Sequence, residues 1–153
     1  SGRKPTLIAV TVLTSMDQQM MNAIGVAGSV ADQVLNLAAL TQKSGLDGVV
    51  CSAQEAPAIR KVLGDKFCLV TPGIRPSDAA LDDQSRVVTP SQALALGSSY
   101  LVIGRPITQS KNPLETLKKI NEEISEFEFK TKFEKYSYRS YRNKVGLFFS
   151  KVF

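Results

Sequence analysis

The 153-residue sequence predicts an α/β fold built on a parallel sheet. Four short runs rich in β-branched and apolar residues recur, and each is continuously hydrophobic, as in strands that are covered on both faces. A helix signal follows each run, and this alternation indicates right-handed βαβ units, in either an open sheet or part of a barrel. The four strands are predicted at 7–13, 48–51, 67–71 and 100–104.

The predicted helices are marked by the residues at their ends. Ser29 is placed to cap the first helix, and Gly64 is placed to end the second. Thr89, followed by proline, predicts the start of the third helix. The fourth starts at Asn112, where Glu115 is placed to complete a capping box. Its apolar stripe is predicted to comprise Leu114, Leu117, Ile120 and Ile124.

Charge and aromatic residues divide the chain near residue 126. Residues 1–126 hold 12 basic and 12 acidic residues, whereas residues 127–153 hold 7 basic and 2 acidic ones, so the net charge of +5 arises in the second segment. Nine of the Phe and Tyr residues also lie there. We therefore expect a main domain at 1–126 and a basic, aromatic-rich tail at 127–153 that is disordered or loosely packed.

Several classes of function are excluded by composition. The chain has no histidine, which excludes Ser-His-Asp and Cys-His catalysis and His-ligated zinc within it. Cys51 and Cys68 are spaced unlike a metal site, and we expect buried, reduced thiols. No metal site is therefore predicted from these residues. No apolar run is long enough to cross a membrane and no apolar signal region is present, so a soluble chain is expected and nothing argues for secretion.

Two neighbouring strand ends carry the same pair of residue types. Gly73 and Arg75 follow the third strand, and Gly104 and Arg105 follow the fourth. Glycine lets the backbone approach a ligand closely, and a guanidinium suits phosphate oxygens. For one loop alone, a turn with a solvated arginine is the simpler interpretation, but two loops together favour a phosphate site. The long polar connection 73–88 is predicted to fold over the ligand, with a plain surface excursion as the alternative.

Several segments, in order from about residue 5 to residue 125, closely resemble the second half of bacterial orotidine 5'-monophosphate decarboxylases. The resemblance implies a partial (β/α)8 barrel, strands five to eight, because 153 residues are too few for a whole one. The family makes UMP in de novo pyrimidine synthesis, as a cytosolic homodimer without metal or organic cofactor. The segments that carry the resemblance are 7–16, 40–43, 45–53, 69–76 and 102–108.

The resemblance also implies a substrate-binding set for orotidine or uridine 5'-monophosphate. Thr14, at the end of strand five, would contact the pyrimidine, and Gln84 would bridge the phosphate and the base edge. Phosphate binding would fall to the backbone of Gly104 and the guanidinium of Arg105. Two further members are Arg75, in the nucleotide site, and Pro72, on the apolar side of the base pocket.

The chain departs from the family in lacking the catalytic D-x-K-x-x-D array of strand three. Its one Asp-Lys pair, Asp65-Lys66, precedes a strand and lies at the wrong end of the barrel. No catalytic residue is therefore assigned in this chain, and we expect it to be inactive in isolation. The edges of a half barrel must be covered by a separate N-terminal half, a second copy or the tail, or else the chain is a poorly stable truncated product.

Two other functions remain open from the sequence. One is another phosphosugar barrel with the same phosphate site, although Thr14-Ser15 and the spacing from Arg75 to Gln84 argue against it. The other is a non-catalytic phosphate-binding or assembly module. Its tail would stack aromatic rings on bases and bind phosphates through lysine and arginine, or lie on an anionic membrane.

Overall fold

A computed structural model describes residue 2, residues 4–76 and residues 88–135, with side chains described up to residue 131. In chain order the elements are β1 (Ile8–Val10), α1 (Gln18–Ala23), α2 (Val30–Lys43), β2 (Gly48–Val50), a 3₁₀ turn (Ala53–Glu55), α3 (Ala56–Leu63), β3 (Cys68–Thr71), α4 (Pro90–Ala95), β4 (Tyr100–Leu101), α5 (Arg105–Thr108) and α6 (Pro113–Lys135). The four strands form one parallel sheet in the order β1-β2-β3-β4, which confirms the predicted architecture.

The strands are shorter than the hydrophobic runs that predicted them. The predicted strand 7–13 is a strand only over β1, and the predicted strand 100–104 only over β4. In both cases a backbone hydrogen bond extends the ladder by one further residue before the chain leaves the sheet. Gly48 sits where β2 approaches β3 closely, and a methyl group there would overlap the Cys68 carbonyl and lie 2.6 Å from its Cβ.

The main core lies between one face of the sheet and helices α2 and α3. Val49 and Leu69 point to that face, and both are fully buried. They pack against Val34 and Ala38 of α2 and Ile59 of α3. Burying a side chain of this kind contributes about 1.5–3 kcal/mol, so this layer holds the helices on the sheet.

Several helices begin at a side-chain cap or end at a glycine where the sequence predicts. The Ser29 hydroxyl accepts a hydrogen bond from the Asp32 N–H at 3.0 Å, and Gly64 ends α3 with a positive φ of 81°. Thr89 caps α4 and, with Gln92, forms a reciprocal capping box that was not predicted. Two short helices, α1 and α5, were also not predicted.

The predicted capping box of α6 is wrong. The Asn112 amide side chain donates to the Glu115 carboxylate at 2.9 Å, and the Asn112 backbone N–H donates to the Ser110 hydroxyl at 3.2 Å. The apolar stripe is right at Ile120, which is 3% exposed, but wrong at Leu114, which is 63% exposed. A carboxylate of the same helix, Glu123, accepts from the Ser91 N–H at 3.0 Å and so docks α6 on α4.

Helix α6 continues through residue 126, so no element ends at the domain boundary expected from composition. The first nine residues of the expected tail, 127–135, are helical. The remainder of the tail, 136–153, falls outside the described residues.

Arg60 joins three segments at the amino-terminal edge of the sheet. Its Nε donates to the Gly97 carbonyl at 2.9 Å, and its Nη2 donates to the Ser99 hydroxyl at 2.7 Å. Its Nη1 donates to the carbonyls of Gly64, Asp65 and Phe67. The guanidinium therefore fastens the end of α3 to the entry of β3 and to the turn before β4.

Candidate functional site

The carboxyl ends of the four strands lie at one edge of the sheet, where the predicted site residues follow them. Hydrogen bonds continue the ladder just beyond the strands, with the Thr11 N–H donating to the Val50 carbonyl at 3.0 Å and the Val102 N–H donating to the Thr71 carbonyl at 3.0 Å. The Thr11 hydroxyl donates to the same Val50 carbonyl at 2.8 Å. The loops that follow therefore start from one edge of the sheet, whose last residues are fixed by hydrogen bonds to the neighbouring strand.

Thr14 lies in the loop after β1 and is 3% exposed. A turn holds this loop, because the Met16 N–H donates to the Leu13 carbonyl at 3.1 Å. Asp17 then caps α1 by accepting from the Met20 N–H at 2.9 Å. Thr14 is thus placed at the carboxyl edge, as predicted, in a loop held by a turn and followed by a capped helix.

The loop after β3 turns at Gly73 and returns to the same place. Gly73 has a φ of 76°, a conformation that glycine adopts readily. Ile74 is fully buried and forms a parallel bridge with Val88, and the Arg75 N–H donates to the Val88 carbonyl at 3.0 Å. The two described ends of the long connection are therefore joined beside the site. Gln84 lies between them, outside the described residues.

Arg75 is buried beside this bridge. Its side chain is 6% exposed, and its Nη1 donates to the Ile74 carbonyl at 3.1 Å. A solvated arginine at an ordinary surface turn is excluded at this position. A permanent cation held in a buried loop stabilises a neighbouring anion more strongly than a cation surrounded by water does.

The loop after β4 leaves open space beside its glycine. Gly104 caps α5, and its carbonyl accepts from the Ile107 N–H at 2.9 Å and the Thr108 N–H at 3.1 Å. A Cβ placed on Gly104 would meet no atom within 4 Å, so a ligand has room to approach this backbone. Arg105 follows as the first residue of α5, and it is half-buried.

The structure brings the two arginine loops together and places Thr14 farther away. β3 and β4 are neighbours, and Ile103 packs against the buried cluster that contains Ile74. Pro72 is half-buried in the same region. β1 lies at the opposite edge of the sheet, about 14 Å away at the usual strand spacing. The arrangement suits an elongated ligand whose anionic end lies at β3 and β4.

A separate groove of about 580 Å³ lies at the amino-terminal half of the sheet, on the face opposite the helices. None of the described site residues lines it. Lys66 lines it, which confirms that the Asp65-Lys66 pair lies at the end of the sheet opposite the site. The lining residues are Lys4, Pro5, Thr6, Ile8, Asp47, Lys66, Cys68, Val70, Ser99 and Tyr100.

The two thiols are not activated. Burial, and secondarily the negative charge of Glu55, raise the pKa of Cys51 to about 12, although Arg60 opposes the shift. Burial also raises the pKa of Cys68. Both thiols are free, and their raised pKa values keep them protonated near neutral pH. Cys51 is buried as predicted, but the prediction is wrong for Cys68, which is only partly buried because it lines the groove on the face opposite the helices.

Across the described residues there is no group of three or more His, Cys, Asp or Glu side chains that would hold a metal ion. The same part of the chain contains no helix with the length and apolar character needed to span a membrane.

Sequence reasoning missed the bridge between Ile74 and Val88, which closes the long connection and holds Arg75 in place. The signal was present, because two β-branched residues, Val87 and Val88, stand immediately before the cap at Thr89. Two β-branched residues are too few to predict a β-bridge from sequence when the segment with which they pair is not known.

Comparison with known proteins identifies close relatives of this chain. The sequence profile of the orotidine 5'-phosphate decarboxylase / HUMPS family matches residues 1–120. An orotidine 5'-phosphate decarboxylase of Nitrosococcus oceani is 63% identical over 121 residues, which are 79% of this chain and 52% of the relative. One from Hahella chejuensis is 58% identical over 120 residues, 78% of this chain and 52% of the relative.

A solved structure agrees with these sequence relatives. The crystal structure of orotidine 5'-phosphate decarboxylase from Lactobacillus acidophilus superposes with a TM-score of 0.64 and 40% sequence identity. The match covers 78% of this chain and 49% of that one. The described fold is therefore a four-strand part of a (β/α)8 barrel, and the chain spans about half the length of the curated relatives that it matches.

Proposed function

Because the chain belongs to the orotidine 5'-phosphate decarboxylase / HUMPS family, we propose that it forms the C-terminal half of an enzyme that converts orotidine 5'-monophosphate to UMP and carbon dioxide. This is a step of pyrimidine synthesis, and we place it in the cytoplasm and in a homodimer of whole barrels. Both relatives are orotidine 5'-phosphate decarboxylases, and their high identity to this chain supports the assignment.

In this proposal the loops after β3 and β4 bind the phosphate of the substrate. Buried Arg75 and the open backbone at Gly104 stand at neighbouring strand ends, and this observation carries the proposal. Arg105 supplies a second guanidinium, and Gln84 is assigned to the bridge between phosphate and base. Binding at the phosphate holds the substrate in register while the other half performs the proton transfer.

The pyrimidine is assigned to Thr14 and Pro72. Thr14 follows β1, at the opposite edge of the sheet from Gly104, and Pro72 follows β3 between them, so the base would lie between the ends of β1 and β3. The Thr14 hydroxyl is suited to a hydrogen bond with the base, and Pro72 offers an apolar surface to the ring.

The chain alone does not decarboxylate in this proposal. A lysine that protonates the departing carbanion, with carboxylates around it, supplies the electrostatic stabilisation of this reaction. The sequence contains no D-x-K-x-x-D array, and Lys66 lies at the amino-terminal end of the sheet.

A complementation experiment tests the proposal. The chain is expressed together with the part of the Nitrosococcus relative that lies outside the matched region, and carbon dioxide release from orotidine 5'-monophosphate is measured. We expect activity from the pair and none from either part alone. Arg105→Ala should lower kcat/KM about tenfold or more, because a hydrogen bond to a charged group contributes about 1.5–3 kcal/mol.

The matched control is Lys61→Ala, which removes an exposed cation on α3, outside the proposed site. It should leave the activity of the pair unchanged. A pair that assembles but releases no carbon dioxide contradicts the proposal, as does an Arg105→Ala pair with full activity.

A further inference from the structure

One face of helix α6 contacts the segments that support both arginine loops. Thr116, Ile120 and Glu123 lie on that face, because residues three and four apart are neighbours on a helix. We call these three residues the α6 face. Ile120 is 3% exposed and therefore lies inside the fold. Helix α6 contacts α4, which follows the long connection after β3, and it also contacts α5, which begins at Arg105.

Glu123 fixes the start of α4. The first turn of a helix has N–H groups that no helix carbonyl can accept from. In α4, Pro90 has no N–H, and the Gln92 N–H donates to the Thr89 hydroxyl at 3.3 Å. The remaining one, the Ser91 N–H, donates to Oε1 of Glu123 at 3.0 Å. The carboxylate of α6 therefore supplies the acceptor that the first turn of α4 would otherwise lack.

The start of α4 in turn holds the Arg75 loop by two contacts. Val88 stands immediately before the helix cap, and its carbonyl accepts from the Arg75 N–H at 3.0 Å. Ala93 of α4 is fully buried in the cluster that contains Ile74, the residue before Arg75. A shift of the helix start would therefore move both the carbonyl that binds the Arg75 backbone and the surface against which Ile74 packs.

The same α6 face is joined to the second arginine loop. The hydroxyl groups of Ser110 and Thr116 lie 2.7 Å apart, in a hydrogen bond that ties the segment after α5 to α6. Helix α5 is short and begins at Arg105, directly after Gly104. Two guanidinium groups bind one phosphate only if both lie within hydrogen-bond distance of it, so the separation of the two loops matters.

We propose that the α6 face sets the separation of the two arginine loops, and that Glu123 is a positioning residue for the phosphate. The β3–β4 ladder joins the loops on the sheet side, and α6 joins their supports on the helix side. Glu123 touches no ligand in this proposal, because it acts through the start of α4 on the Arg75 loop. The inference rests on the proposed function, since it names what holds the phosphate site of that proposal in shape.

Calorimetric titration of the full chain with UMP tests the inference, at a temperature at which circular dichroism shows each variant to be folded. Glu123→Ala removes the acceptor of the Ser91 N–H and should weaken UMP binding about fivefold, the factor that corresponds to one ordinary hydrogen bond. Glu123→Gln keeps an acceptor oxygen at the same place and should bind UMP like the unaltered chain.

Ile59→Val is the matched control for a loss of stability alone. Ile59 is fully buried in the main core, outside the cluster that contains Ile74, and removing one methylene group there costs a comparable amount of stability. This variant should bind UMP like the unaltered chain. A purely structural role of Glu123 predicts the same UMP affinity for Glu123→Ala as for Ile59→Val.

Hydrogen exchange of the Arg75 amide gives a second readout, which needs no nucleotide. This amide should exchange about fivefold faster in Glu123→Ala than in Ile59→Val, because the Val88 carbonyl is held only while the start of α4 is fixed. Glu123→Gln should restore slow exchange.

The outcomes separate this inference from the proposed function. Equal exchange of the Arg75 amide in Glu123→Ala and Ile59→Val overturns the inference alone, and so does equal UMP affinity in Glu123→Ala and the unaltered chain. The absence of UMP binding by the unaltered chain overturns the proposed function and this inference with it.

Discussion

Replacing Arg60 with methionine should lower the free energy of unfolding by about 3 kcal/mol. Methionine retains an apolar stem and removes the guanidinium. The bonds to Gly64, Asp65 and Ser99 lie at exposed positions, where water replaces them, so they are discounted. The partly buried bonds to the Gly97 and Phe67 carbonyls remain, and each contributes about 1.5 kcal/mol, at the low end for a charged donor.

Urea unfolding followed by circular dichroism, at one protein concentration, measures the effect. Small proteins have m-values of about 1–3 kcal/mol/M in urea, so the midpoint should fall by about 1–3 M. Lys61→Met changes the next residue on the same helix, which is exposed, and should stay within about 0.5 kcal/mol of the unaltered chain. Equal midpoints for Arg60→Met and Lys61→Met would refute the role of Arg60.

Three further changes test the fold. Gly48→Ala should destabilise the chain by about 3 kcal/mol or more in urea unfolding, because the new methyl overlaps the Cys68 carbonyl. Between pH 9 and 12 the unfolding free energy should fall by up to about 1.4 kcal/mol per pH unit, because the pKa of Cys51 is raised to about 12 when folded and its stabilisation is complete only below the ordinary value of 9.0. Glu123→Ala should cost about 1 kcal/mol by removing the acceptor of the Ser91 N–H.

Each of the three has its own control. Gly2→Ala adds a methyl that meets no atom within 4 Å and should be neutral, so a Gly48→Ala chain that is just as stable would contradict the close approach. Cys51→Ala should flatten the alkaline slope, and an unchanged slope would show that other groups cause it. Glu122→Ala removes an exposed carboxylate one residue away, and it should not match the loss caused by Glu123→Ala.

The order of elements was predictable because local signals and burial agree. Ser29, Gly64 and Thr89 act at helix ends through their own side chain or backbone freedom, so the sequence around each is sufficient. The parallel sheet was predicted from the uninterrupted apolar runs. Such runs are typical of parallel strands, because both faces of a parallel sheet are covered.

Contacts between distant segments were not predictable. Arg60 resembles any charged residue in a helix, and its role depends on carbonyls brought close by the turn before β4. Glu115 was assigned to a backbone N–H that the nearby Ser110 hydroxyl takes instead. At the site, the sequence located Arg75 and Arg105 correctly at the strand ends, but the burial of Arg75 follows from the bridge between Ile74 and Val88.

The central claim is that the loops after β3 and β4 bind one nucleotide phosphate, and calorimetric titration of the full chain with UMP tests it most directly. We predict binding of UMP in the millimolar range or tighter, and weaker binding of uridine, which lacks the phosphate. Arg105→Ala should weaken UMP binding about tenfold or more, and Lys61→Ala should not. The absence of heat at millimolar UMP, or equal affinities for UMP in the Arg105→Ala and unaltered chains, would contradict the claim.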